Sequence, residues 1–135
     1  MSNQLYDKGR QKFLEGNIAI LTDAIKIVLV DSADYTADLV NHDFLDDIAV
    51  GGRVATSANL ASKTSTDGVF DAADVTLTAV TGDPSEYIIG YKDTGVASTS
   101  PLLWFIDTAT GLPVTPNGGD INVIWDNGAN KIFKL

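Results

Sequence analysis

The side chains able to do acid–base or metal chemistry are few and unevenly placed. His42 is the single histidine and cysteine is absent. A zinc ion would have to combine His42 with carboxylates alone, a poor ligand set. A Ser-His-Asp triad is allowed by composition, but no G-x-S-x-G elbow surrounds any serine. His42 beside Asp43 therefore reads as a histidine that caps or satisfies a short turn. Two acidic groups follow, Asp43, Asp46 and Asp47, then Asp67, Asp71 and Asp74. Paired carboxylates suit glycoside hydrolysis and clustered ones suit Ca2+. The stretch from Asp67 to Asp74 lacks both the alternating ligands and the closing Glu of an EF-hand loop. Asp is also the residue of strand ends and turns, so both groups read as solvated turns, with weak cation binding as the alternative. Gly51-Gly52 and Gly118-Gly119 match neither a dinucleotide fingerprint nor a P-loop. Trp104 and Trp125 fall inside strand-like runs and read as core rather than as stacking platforms. The expectation is a protein with no catalytic residue, no metal and no cofactor.

The elements that carry these residues follow from composition. Of 18 acids against 9 bases, 16 are Asp and only Glu15 and Glu86 are Glu. Glu favours helices, whereas Asp competes for backbone hydrogen bonds and favours caps and turns. Thirteen Thr, eleven Val and eleven Ile add β propensity, so long helices are nearly excluded. At 135 residues the chain is long enough for one domain with a real core, spanning 1–135. A net charge of −9 leaves no basic stripe for phosphates or anionic lipid, which argues against nucleic acid and membrane as partners. No stretch approaches the roughly 20 apolar residues of a bilayer span. The first residues lack the apolar core of a signal peptide, which points to folding in a cytoplasm.

One helix is expected, over residues 4–15, with Tyr6, Gly9 and Phe13 on one stripe, Leu5 and Leu14 flanking it, and Gly16-Asn17 as its stop. The β-branched run 25–30 predicts a buried strand. Residues 42–48 suggest one helical turn with Phe44, Leu45 and Ile48 inward. Residues 59–66 read as a polar edge strand and 75–79 as an alternating strand with a Thr face. Further strands are expected at 87–91, 102–106, 121–125 and 131–135, the last two as a closing hairpin across Asp126-Asn127-Gly128. About eight short strands divided by turn residues predict an antiparallel β-sandwich with one N-terminal helix. Its core should hold Ile25, Ile27, Leu29, Val75, Leu77, Ile89, Leu103, Ile121, Val123 and Trp125.

The order of pieces resembles a family of small virion structural proteins encoded among the head and tail genes of tailed bacteriophages. The resemblance rests on Tyr6-Asp7-Lys8-Gly9, the run from Thr22 to Val30, and His42-Asp43-Phe44-Leu45-Asp46-Asp47. It continues through the stretch from Ala58 to Thr64, that from Phe70 to Thr76, and Tyr91-Lys92-Asp93-Thr94-Gly95. Ser100-Pro101-Leu102-Leu103, Ile106-Asp107 and Asn117-Gly118-Gly119-Asp120-Ile121 with Trp125 complete it. It spans nearly the whole chain and carries no catalytic residues. It implies a non-enzymatic virion protein, assembled in the host cytoplasm, that decorates or cements the capsid as a homo-oligomer. Its partners would be capsid or other virion proteins. The alternative is a tail, baseplate or fibre component that binds a host receptor or carbohydrate. Two docking elements are expected: the helix through Leu5, Tyr6 and Phe13, and the polar edge through Asn59, Ala61 and Lys63. The same helical stripe could instead pack on its own sandwich.

Overall fold

The computed structural model describes residues 3–135. The chain is mainly β, antiparallel and sandwich-like, with several sheets and one helix near the N-terminus. Its centre is a five-stranded sheet in the order β1-β7-β6-β2-β3, formed by β1 (Gln4–Leu5), β7 (Leu102–Ile106), β6 (Tyr87–Lys92), β2 (Ile25–Val30) and β3 (Arg53–Thr56). Two small ribbons accompany it. One pairs β4 (Val69–Phe70) with β9 (Phe133–Lys134), the other β5 (Val75–Leu77) with β8 (Ile121–Val123).

Both faces of the central sheet are covered, because its two longest strands are apolar on both faces. On one face Ile25, Ile27 and Leu29 pack with Trp104, Phe70, Leu77, Val123 and Trp125. On the other, Val28, Val30 and Ile89 pack with Tyr6, Tyr35, Ile48 and Phe105. Of the expected core, Val75 and Ile121 are only half-buried at the margin, and the remaining eight are buried. No helix among the described residues is long and apolar enough to cross a membrane.

The N-terminal segment differs from its sequence pattern. Helix α1 is Asp7–Leu14, about two turns rather than three. Gln4 and Leu5 form a strand instead, paired with Phe105 and Trp104. The Asn3 side chain holds it there: its carbonyl accepts the amides of Asp107 and Thr108, and its NH2 donates to Thr108 O. Sheet hydrogen bonds to a distant strand thus override a helical spacing. The stop signal performs as expected. Gly16, at φ 75°, ends α1 with Gly16 N–H donating to Phe13 O and Asn17 N–H to Lys12 O, a Schellman closure.

Two further elements depart from expectation. The segment 59–66 is irregular, not an edge strand. Ser62 has φ 54°, and only Thr64 makes an isolated bridge, to Asp71. The edge strand on that side is β3, just upstream. Strands β8 and β9 also form no hairpin. The Trp125 backbone N–H donates to Asp74 Oδ1 and its indole N–H to Ala73 O, which fixes the end of β8 beside β5. Strand β9 continues to β4.

Candidate functional site

His42 lies at the end of a buried hydroxyl chain. Tyr6 and Tyr35 place their hydroxyls 3.0 Å apart, and Tyr35 Oη lies 2.8 Å from His42 Nδ1. The Asp38 backbone amide also donates to Nδ1, at 3.3 Å. An amide can only donate, so Nδ1 carries no proton. The direction of the chain follows: Tyr6 donates to Tyr35, and Tyr35 donates to His42. The histidine does satisfy a local turn, with Tyr35 and Asp38 as its partners instead of Asp43. Through Tyr35 it is joined to the second core, and among the described residues its hydrogen-bond partners are Tyr35 and Asp38, not the serine of a triad. Burial raises both phenols, Tyr35 to about 12 and Tyr6 further. Replacing His42 with Ala strips an acceptor from two donors, so we expect a loss of about 1–3 kcal/mol. His42→Asn, whose carbonyl can sit near the position of Nδ1, should recover part of it in thermal denaturation.

Two of the six clustered carboxylates, Asp47 and Asp74, are likewise tied into the backbone. Asp47 Oδ2 accepts the amides of Asp43 and Phe44, closing the 3-10 turn Leu45–Asp47, from which Leu45 and then Ile48 point inward. The Asp74 carboxylate holds Trp125, and Asp71 meets Thr64 through its backbone alone. Neither expected cluster gathers its three carboxylates into a metal-binding group among the described residues. Asp31, Asp34 and Asp83 do converge, with ligand atoms within 4.8 Å of one another. Sequence could not reveal this group, because Asp83 comes from a distant turn. A hard cation such as Ca2+ takes six to eight oxygens, so three carboxylates of which two are exposed make at best part of a site.

The glycine pairs are structural. Gly52 sits in the 3-10 turn Val50–Gly52 and its carbonyl accepts the Asp31 amide. Gly118 and Gly119 exchange backbone hydrogen bonds with Val80.

Of the expected docking residues, Leu5 is 5% exposed and Tyr6 0%. Both pack within this chain, the second of the two arrangements open to the helical stripe. Phe13 is half-buried, with its ring 6.0 Å from that of Phe133. Asn59 and Ala61 are exposed, and Lys63 reaches back to the Asp23 carbonyl.

An open groove of about 890 Å3 lies between β1 and β7 on one side and the chain from β8 to β9 on the other. Trp104 and Trp125 both line it, their rings 6.2 Å apart and nearly perpendicular. They are buried at 1% and 6% exposure, so they form its floor rather than a flat platform. The Trp104 indole N–H is buried without a hydrogen-bond partner among the described residues. Sequence reasoning placed both tryptophans in the core but missed the groove, which is assembled from four separated segments. No family model matches this chain, and no curated protein is significantly similar to it.

Proposed function

We propose that this protein is a non-enzymatic virion structural protein that assembles as a homo-oligomer on a phage capsid. The observation that carries this reading is the outer edge of β3. Strand β3 pairs with β2 on one side only, and an open strand edge is a template for pairing with another chain. Immediately before it Val50 is 77% exposed, an apolar side chain placed where a neighbouring subunit would cover it. At a net charge of −9 copies repel one another, so association must come from such strand-edge and apolar contacts. The interface thus moves from the helix and the 59–66 segment to β3. The way His42, Asp47 and Asp74 serve the scaffold is in keeping with a structural role.

Light scattering with hydrogen exchange tests this. We expect self-association as concentration rises, with amide protection gained over Arg53–Thr56. Val50→Asp should shift that association by about tenfold or more, since it exchanges an apolar contact for a buried charge. A protein that stays monomeric at high concentration, with β3 amides exchanging at one rate throughout, would falsify the reading. The groove favours a second reading, a tail or fibre component that binds a host receptor or carbohydrate, because a concave aromatic-floored site suits a small ligand.

A further inference from the structure

We infer that the groove beside β9 binds a small organic anion with an apolar body, a site that stands whichever virion role applies. Its volume, about 890 Å3, lies within the range of small-molecule sites. Charge sets the ligand class. The whole chain has twice as many acids as bases, yet the groove is lined by Arg10, Lys131 and Lys134 against a single acid, Asp126. Arg10 is held by Asp7 at 2.9 Å, and Asp126 accepts the Gly128 amide. Lys131 and Lys134 form no ion pair among the described residues. With Arg10 paired to Asp7, these two cations outnumber the groove's one remaining carboxylate, Asp126, on an otherwise acidic protein, and that is where an anion would be concentrated.

The walls supply the apolar half. Ile124 is 73% exposed and Ile132 and Phe133 are half-buried, so a ring or short chain can lie against them above Trp125. Lys131 has a φ of 47°, the left-handed region that side chains other than glycine rarely adopt. A glycine would fit that backbone more easily than a lysine. Its other side faces a smaller hollow of about 300 Å3 that holds Asp67 and Asp71, neither within ion-pair reach. The acid group of a ligand would fall between Lys131 and Lys134, with its apolar body toward Ile124 and Phe133.

Two dyes of one shape test this on the full chain: the anion 8-anilinonaphthalene-1-sulfonate and its uncharged analogue N-phenyl-1-naphthylamine. The sulfonate should bind saturably at one site and lose affinity with added salt. In Lys131→Gly with Lys134→Gln it should weaken by about tenfold, the effect of two nearby charges at a protein surface. The neutral dye should change by less than about twofold. This variant keeps its fold, because glycine relieves the left-handed backbone and Lys134 is exposed. Its melting temperature should match or exceed the native value. Equal loss of both dyes, unchanged sulfonate binding, or no saturable binding overturns the proposal. Dye binding that falls as protein concentration rises places a second copy of this chain in the groove and overturns it too.

Discussion

Gly90→Ala should destabilise this protein severely. Gly90 sits opposite Trp104 across β6 and β7, and the indole lies flat on the glycine backbone. A Cβ there would be 2.2 Å from Trp104 Cδ2 and Cε2, far inside van der Waals contact. The ring is tightly held even at the floor of the groove. Phe70, Phe133 and Trp125 surround it with centroids 5.7, 5.6 and 6.2 Å away. Interiors are packed to near-crystalline density, so one methyl must displace the whole aromatic cluster or separate two central strands. Overpacking costs typically 1–3 kcal/mol, and this contact sits beyond the usual case, so we expect about 4 kcal/mol. Against a typical total of about 5–15 kcal/mol that is a large fraction. It corresponds to a fall in melting temperature of roughly 15 °C.

A double-mutant cycle separates this cause from loss of strand propensity. Trp104→Leu alone should cost about 3 kcal/mol, because it leaves a cavity. The same change opens room for the methyl, so Gly90→Ala with Trp104→Leu should be little worse than Trp104→Leu alone. A coupling of about 2 kcal/mol or more is expected. A single variant that melts within a few degrees of native, or two additive losses, would show that the indole yields more easily than its packing implies.

What the sequence could and could not show follows from the range of the interactions involved. Ile25–Val30, interrupted only by Lys26, and Leu102–Ile106 were legible because a strand buried on both faces is a short, nearly continuous apolar run, a local signal. The Schellman closure at Gly16 was legible for the same reason. Leu5 and Tyr6 were not, since their spacing fits a helix and the partner that makes β1 a strand, Trp104, lies far along the chain. The segment 59–66 has strand-like polarity but is fixed by long-range backbone bonds, Leu60 N–H to Ile25 O and Ala73 N–H to Ala61 O. The hairpin expected from 121–135 failed to form because a turn between two strands does not reveal whether they pair with each other or with earlier ones. The same limit governs the sites. The hydroxyl chain joins Tyr6, Tyr35 and His42, and the groove joins β1 to β9. Neither has a contiguous motif, and the glycine that accommodates Trp104 looks from sequence like any other weak point in a strand.

Stability should fall steeply above about pH 10, and the buried pair Tyr6 and Tyr35 should be the main cause. Both residues are held in the second core, 0% and 4% exposed, where burial above all penalises the phenolate and, for Tyr35, outweighs the opposing hydrogen bond from Tyr6. Asp47 faces both and Asp38 faces Tyr35, adding negative charge. Tyr87 and Tyr91 are raised as well, again chiefly by burial. The sign is fixed by which state keeps its protons. Below pH 10 both folded and unfolded phenols are protonated and the contribution is fully present. Above it the unfolded chain ionises while the folded one does not, so stability is lost until the pH passes the folded value, about 12 for Tyr35. Each phenol held protonated removes about 1.4 kcal/mol per pH unit, so this pair alone removes nearly 3 kcal/mol per unit. Denaturant melts from about pH 7 to about pH 12, read beside the phenolate absorbance, check this. Phenolate from Tyr6 and Tyr35 should appear only as the protein unfolds. Tyr6→Phe should be less stable than native at neutral pH by about 1 kcal/mol, having lost its bond to Tyr35. It should nevertheless be the more stable protein well above pH 10, because one ionisation no longer drives unfolding. If the two proteins lose stability in parallel, or if all four tyrosines ionise near pH 10 in the folded state, the hydroxyl chain is more open to water than its burial indicates.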